Sequence, residues 1–345
     1  MGCLWERVGR DATLVIAFVI SAAVPASVTA QPQWLATVPS AQLRARVGDL
    51  TPQTDPAQIR AAAQALFDEH RQSRFPAVRT AACAPAAPRT GDTCLVLLRA
   101  IARDTAQAWA DRVRAAVWLP ADAADTAPLL DGLLSPATAD QLGQVAEALA
   151  ELPEYLAVPQ LVRVLDSGPE SARLEAARLL PRFQTSIGAL FQVRDTSQPG
   201  SPLWLAATLG VARLGAAEVR QQLSVLSPYY GTDGYAEVGA VLFEAGDPQG
   251  EPMLRRAAAT ASPAAAARAA FLLRDLSPEV FTSALDRAMK GSPAERIAAL
   301  QLATKAQVPL SINVIPWLVD PDEGVRVATA LYLLAVPKPA GPAGL

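Results

Sequence analysis

One histidine, two closely spaced cysteines and a recurrent arginine are the residues of this 345-residue chain with chemistry to offer. The histidine, His70, lies in Asp68-Glu69-His70-Arg71. A serine–histidine–acid triad would have to use it, since it is the sole imidazole. The tetrad falls at the polar end of the first helix after the amino-terminal segment and reads as a solvated helix terminus. Lysine occurs only at Lys290, Lys305 and Lys338, which disfavours a serine–lysine pair. No phosphate loop, dinucleotide-binding glycine pattern, histidine-rich metal spacing or nucleophile elbow is present in the sequence. Carboxylates are many, but no pair stands out. The expectation is no catalytic site, no cofactor and no metal.

Cys83 and Cys94 enclose a loop of Ala, Pro, Gly and Thr composition. In an oxidising compartment they most simply form a disulfide. A loop of this size would stabilise the fold by roughly 2–3 kcal/mol. Two thiols and one distant histidine do not complete a tetrahedral zinc set.

The compartment is suggested by residues 1–30. Leu14 to Ala23 is a continuous apolar run, Pro25 breaks it, and Val28-Thr29-Ala30 offers small residues for cleavage before Gln31. This is the pattern of a secretory signal, and the run is short of the ~20 residues of a membrane span. The expectation is a periplasmic or secreted protein; an uncleaved anchor is the alternative, with no other membrane contact. Net charge is -3, which gives no argument for nucleic acid as a partner.

The elements that must position these residues are helical. Half of the residues are hydrophobic, aromatics are few, and Ala and Leu dominate. Residues 31–54 read as an irregular lead-in. Asp55 and Pro56 then start a helix whose apolar stripe is Ile59, Ala62, Ala63, Leu66 and Phe67, closed off by Pro76. Within a lead-in of residues 31–93, this helix is expected to cap the amino-terminal end of a repeat array.

That array runs from residue 94 to 336. A small residue is followed three positions later by leucine at Ala116/Leu119, Ala146/Leu149, Ala176/Leu179, Ala206/Leu209, Gly239/Leu242, Ala270/Leu273, Ala299/Leu302 and Ala328/Leu331. The anchors are 30, 30, 30, 33, 31, 29 and 29 residues apart. Such a pair shares one helical face, and each follows a turn carrying a breaker such as Gly168-Pro169 or Ser292-Pro293. Val158 to Leu180 is the clearest copy, a helical hairpin broken at Asp166–Pro169. Ser292, Pro293 and Glu295 form a capping-box pattern, and Asp320, Pro321 and Glu323 repeat it with more negative charge. Residues 337–345 form a tail.

Paired helices at this period, with an arginine early in the second helix (Arg114, Arg173, Arg268, Arg296, Arg326), resemble HEAT-like repeats, in the short variety named after phycobilin lyase subunits. The resemblance covers about residues 94 to 335. Gln144, Trp204 and Glu237 stand near the arginine position in the second, fourth and fifth units. It implies an all-α fold, a right-handed α-solenoid of about eight helical hairpins, whose second helices line a concave surface where partners dock.

The function expected is a protein-interaction scaffold whose partner is another protein. Candidate contacts are Arg114, Arg173, Trp204, Arg268, Arg296 and Arg326, although each arginine could instead bridge to a turn aspartate, as Arg173 to Asp166 or Arg326 to Asp320. The fifth unit departs from the pattern. Its turn, Pro228 to Tyr235, holds Tyr229, Tyr230 and Tyr235 beside two glycines, the composition of a binding loop. An enzyme subunit, by analogy with the lyases, and a passive envelope component remain as alternatives.

Overall fold

Every regular element is a helix among the residues described by the computed structural model, which are 39–73, 76–83, 93–120, 125–226 and 230–336. The signal-like segment, Tyr229 and the carboxy-terminal tail lie outside them. All described residues belong to one unit, Ala36–Leu345.

Three helices precede the repeats among the described residues. Helix α1 is Ala41–Gly48 and α2 is Pro56–Arg71. The lead-in is therefore not irregular throughout: Ser40 caps α1 by accepting from the Leu43 amide, and Leu43 and Val47 are buried. In α2 the capping proceeds as the sequence predicts. Asp55 accepts from the Ala57 amide, Pro56 takes the first position, and Ile59, Ala62, Ala63, Leu66 and Phe67 are all buried. Pro76 does not close α2; it opens a short α3, Pro76–Ala81.

The paired elements come next. They are α4 (Thr93–Arg103) and α5 (Trp109–Val117), α6 (Thr126–Leu134) with the short α7 (Ala139–Gly143) and α8 (Ala146–Leu149), then α9 (Glu154–Ser167) and α10 (Glu170–Leu179). After these stand α11 (Ile187–Thr196) and α12 (Pro202–Arg213), α13 (Ala217–Leu226) and α14 (Gly231–Glu244), α15 (Gly250–Thr260) and α16 (Pro263–Leu272), α17 (Pro278–Met289) and α18 (Pro293–Ala306). In the last pair a 3-10 turn, Ile315–Val319, replaces the first helix ahead of α19, Glu323–Ala335.

Each second helix packs on the next: α8 on α10, α10 on α12, α12 on α14, α14 on α16, α16 on α18 and α18 on α19. The eight small anchor residues are all buried, and a side chain at Gly239 would stand 3.1 Å from the Leu254 amide nitrogen of α15, so α14 and α15 approach closely. The anchors' leucines are buried at positions 119, 149, 179, 242 and 273 and half-buried at 209, 302 and 331. Polar links repeat the same period: Arg114 donates to the Gln144 carbonyl, Gln184 to the Leu214 carbonyl, and the Thr185 hydroxyl to Glu154, across separations of 30, 30 and 31 residues.

Helices α1 and α2 do not cap the amino-terminal end of the repeats. Helix α2 packs along α19, at the opposite end of the chain, and α1 packs on the 3-10 turn that precedes it. The apolar stripe of α2 joins Leu318, Tyr332 and Leu333 in one buried cluster. Phe67 and Tyr332, both large aromatic side chains, are buried in that cluster. Helix α3 then leads back to α4 and α5, and among the described elements the first two helices meet the last.

Cys83 and Cys94 are disulfide-bonded, with Cα atoms 5.3 Å apart and both residues buried. The bond ties α3 to the start of α4. Replacing both by serine is expected to cost about 2–3 kcal/mol, read as a lower urea midpoint than that of the oxidised protein.

Candidate functional site

Among the described residues, the buried charges gather where α2 meets α19. His70 is 3% exposed, Glu323 7% and Arg326 0%. His70 is thus not at a solvated helix end. The apolar stripe of α2 continues through it: position 70 follows 66 and 67 at helical spacing, which is the signal by which the sequence reveals its burial. Its Nδ1 lies 3.8 Å from Glu323 Oε1, beyond hydrogen-bond length. Burial, and then the nearby Arg326 guanidinium, hold the imidazole well below its usual range, at about 4. It is neutral at pH 7.

Arg326 donates to the main-chain carbonyls of Asp320 at 2.7 Å and Pro321 at 3.2 Å. The side chain of Asp320 is committed elsewhere. Its Oδ2 takes Arg296 at 3.0 Å, and its Oδ1 accepts from the Asp322 amide. Asp322, not Asp320, is the cap of α19, accepting from the Val325 amide. The predicted capping position therefore moves by two residues. Burial lowers the pKa of Arg326, while Glu323, Asp320, Asp322 and Glu69 pull the other way and keep the cation charged. On the α2 side, Glu69 accepts from the Ser40 amide and Arg71 donates to Asp68 at 2.7 Å.

The remaining second-helix arginines are mostly used as internal ties. Arg173 Nε donates to the Leu165 carbonyl at 2.8 Å; it meets the last turn of its partner helix rather than Asp166. A guanidinium there satisfies a carbonyl that α9 leaves open and complements the negative end of the helix. Arg114 pairs with Asp111 and reaches the Gln144 carbonyl. Arg296 lies over the Trp317 ring at 5.4 Å besides holding Asp320. Arg268 alone of the five is exposed, as is Glu237. Trp118, Trp204 and Trp317 are half-buried.

A second set of ties escapes the repeat pattern, because its arginines lie in first helices. Arg163 donates to the carbonyls of Leu134 and Ala137, and Arg287 to those of Ala258 and Ala259. Each reaches back one unit, to the end of the preceding first helix. The separations, 26 to 29 residues, are the only trace of this in the sequence.

The described part of the tyrosine-bearing turn, residues 230–235, is helical rather than a displayed loop. Helix α14 starts at Gly231, inside it. Tyr230 is 9% exposed and its hydroxyl donates to the Leu205 carbonyl at 3.3 Å. Burial raises its phenol pKa further above its ordinary value. A side chain at Gly234 would stand 1.9 Å from Tyr230 Cβ, so the ring folds back against the new helix. Tyr235 is half-buried under the Arg256 guanidinium, 4.4 Å from its ring centre. Tyr229 lies outside the described residues. As a contact residue for a partner, Tyr230 is replaced by a packing role, and the same holds for the enclosed Arg326.

Tyr155 stands exposed beside a groove of about 380 Å³ that includes Leu119, Leu130, Leu152 and Leu156. Among the described residues no group of three or more His, Cys, Asp or Glu side chains could hold a metal ion, and no helix is long and apolar enough to cross a membrane. No family model, curated protein or solved structure matches this chain.

Proposed function

We propose that this protein is an exported scaffold: a right-handed α-solenoid of about eight HEAT-like hairpins that presents its second-helix surface to another protein. The observation that carries this reading is the unit itself. Eight small residues in register on the second helices are all buried, and polar links recur at the same spacing. A stack of this kind builds a long surface from short-range contacts, which is the use such arrays have.

The internal charges support binding over catalysis. Arg173, Arg163, Arg287 and Arg326 end on main-chain carbonyls at helix joints, where they hold the stack together. Arg268 and Glu237 remain on the exposed part of second helices, and Tyr155 on the first helix of its unit. The signal-like segment and the disulfide favour a periplasmic or secreted setting.

The test is capture from the envelope fraction with the tagged full chain and an Arg268→Glu, Glu237→Arg double variant of equal helical content. One stoichiometric partner is expected, with recovery at least ten-fold lower for the variant. An abundant protein that recovers no stoichiometric partner points to a passive envelope component. Turnover of a substrate by the purified protein would make it an enzyme subunit.

A further inference from the structure

We infer that the α2–α19 seam is an acid-released latch, in which protonation of His70 beside Arg326 frees the α1–α2 pair from the end of the repeats. The geometry supplies the parts. The α1–α2 pair holds together through Ser40 and Glu69. It packs chiefly on α19 and the 3-10 turn before it, elements far away in sequence. In that contact the His70 imidazole, the Glu323 carboxylate and the Arg326 guanidinium are all enclosed, and Arg71 of α2 is buried beside its partner Asp68.

The charges around His70 are few. Helix α19 contributes Glu323 and Arg326, the turn ahead of it Asp320 and Asp322, and α2 itself Asp68, Glu69 and Arg71. Asp320 is bound to Arg296, and Asp322 to the first turn of α19. Of the other elements packed on α2, α1 carries Arg44, Arg46 and Asp49, all exposed to solvent, and α3 carries Arg79, which donates to the Ser73 carbonyl. The 3-10 turn carries no charge. Arg71 is paired with Asp68, so a proton on His70 adds an enclosed cation facing Arg326, with Glu323 3.8 Å away.

The direction follows from linkage. In the closed seam the imidazole titrates at about 4, against 6.5 for a hydrated one. The closed state binds fewer protons than the open one between these values, so closure is at full strength above pH 6.5 and weakens as pH falls toward 4. The rest of the stack has no such histidine, since His70 is the only one. Acid thus loosens the seam first.

Hydrogen exchange on the full chain at pH 7 and pH 5, expressed as protection factors, tests this. Protection in α2 and α19 is expected to drop about 20-fold between the two, while that of α9 and α10 holds. In His70→Gln the seam should change by less than about two-fold. Equal seam protection at both pH values, a parallel loss in α9 and α10, or the same loss in His70→Gln would each overturn the latch. Should that variant fail to fold, the sole imidazole resonance of the wild-type protein decides. A midpoint near 4 sustains the latch, and one at 6.5 or above removes it.

Discussion

Replacing Arg326 by methionine is expected to destabilise the protein by about 3–5 kcal/mol, the range for breaking a buried charge network by removing one member. Methionine fills much of the volume, so the loss is electrostatic and not a cavity effect. The carbonyls of Asp320 and Pro321 lose their donor, and Glu323, Asp320 and Asp322 lose the cation that offsets them. Lysine should restore only part of this, because an ammonium is more strongly hydrated than a guanidinium and costs more to enclose. Arg268→Met is the matched control. It stands at the equivalent position of its own unit but is exposed, and should change stability by less than about 0.5 kcal/mol. Urea midpoints of the three variants against wild type provide the measurement; equal values for positions 326 and 268 would show that the seam contributes nothing.

Two glycine-to-alanine changes should have opposite signs. At Gly250, the first residue of α15, an added Cβ would lie 2.3 Å from the Phe243 amide nitrogen and 2.5 Å from its Cα. Both are main-chain atoms of α14, so neither can swing aside. The α14–α15 hairpin must spread, at a cost of about 3 kcal/mol, the upper part of the usual overpacking range. At Gly132, inside α6, a Cβ meets nothing within 4 Å. Alanine there lowers the entropy of the unfolded chain and should stabilise by about 0.5–1 kcal/mol. Thermal midpoints moving apart in these directions would confirm the packing of the α14–α15 pair. A neutral Gly250→Ala would mean that the two helices lie farther apart than these distances allow.

Both glycines look alike along the chain, and so do the five arginines. The periodicity of the second helices tells which residues share a side, and that side is buried at all eight anchors. It does not tell how close the neighbouring backbone comes, which is what separates Gly250 from Gly132. The tyrosine-rich turn is legible as a departure from the repeat. Its composition misleads, because glycines beside aromatics suit a display loop and also suit a ring folded onto a helix. Gly234 does the second, leaving room that Tyr230 occupies.

The lead-in shows the same limit from another side. Ser40 is a good cap and Leu43 and Val47 are spaced for one helical face, but eight residues of weak pattern do not announce a helix by themselves. Helix α1 forms where the 3-10 turn near the other end of the chain covers that face.

The helical class, the unit and its period, the caps at Asp55 and Ser292, and the pairing of Cys83 with Cys94 are all written in residue type and spacing. They rest on contacts within a few tens of residues, where local chemistry settles the outcome. That α2 meets α19, that His70 is enclosed, and that Arg326 is the one buried arginine among five equivalents emerge only from the packing of distant elements. The reason is that a helical period records an apolar face without recording what covers it. The cover for the last unit comes from the opposite end of the chain, and the burial of its charges is a consequence of that arrival.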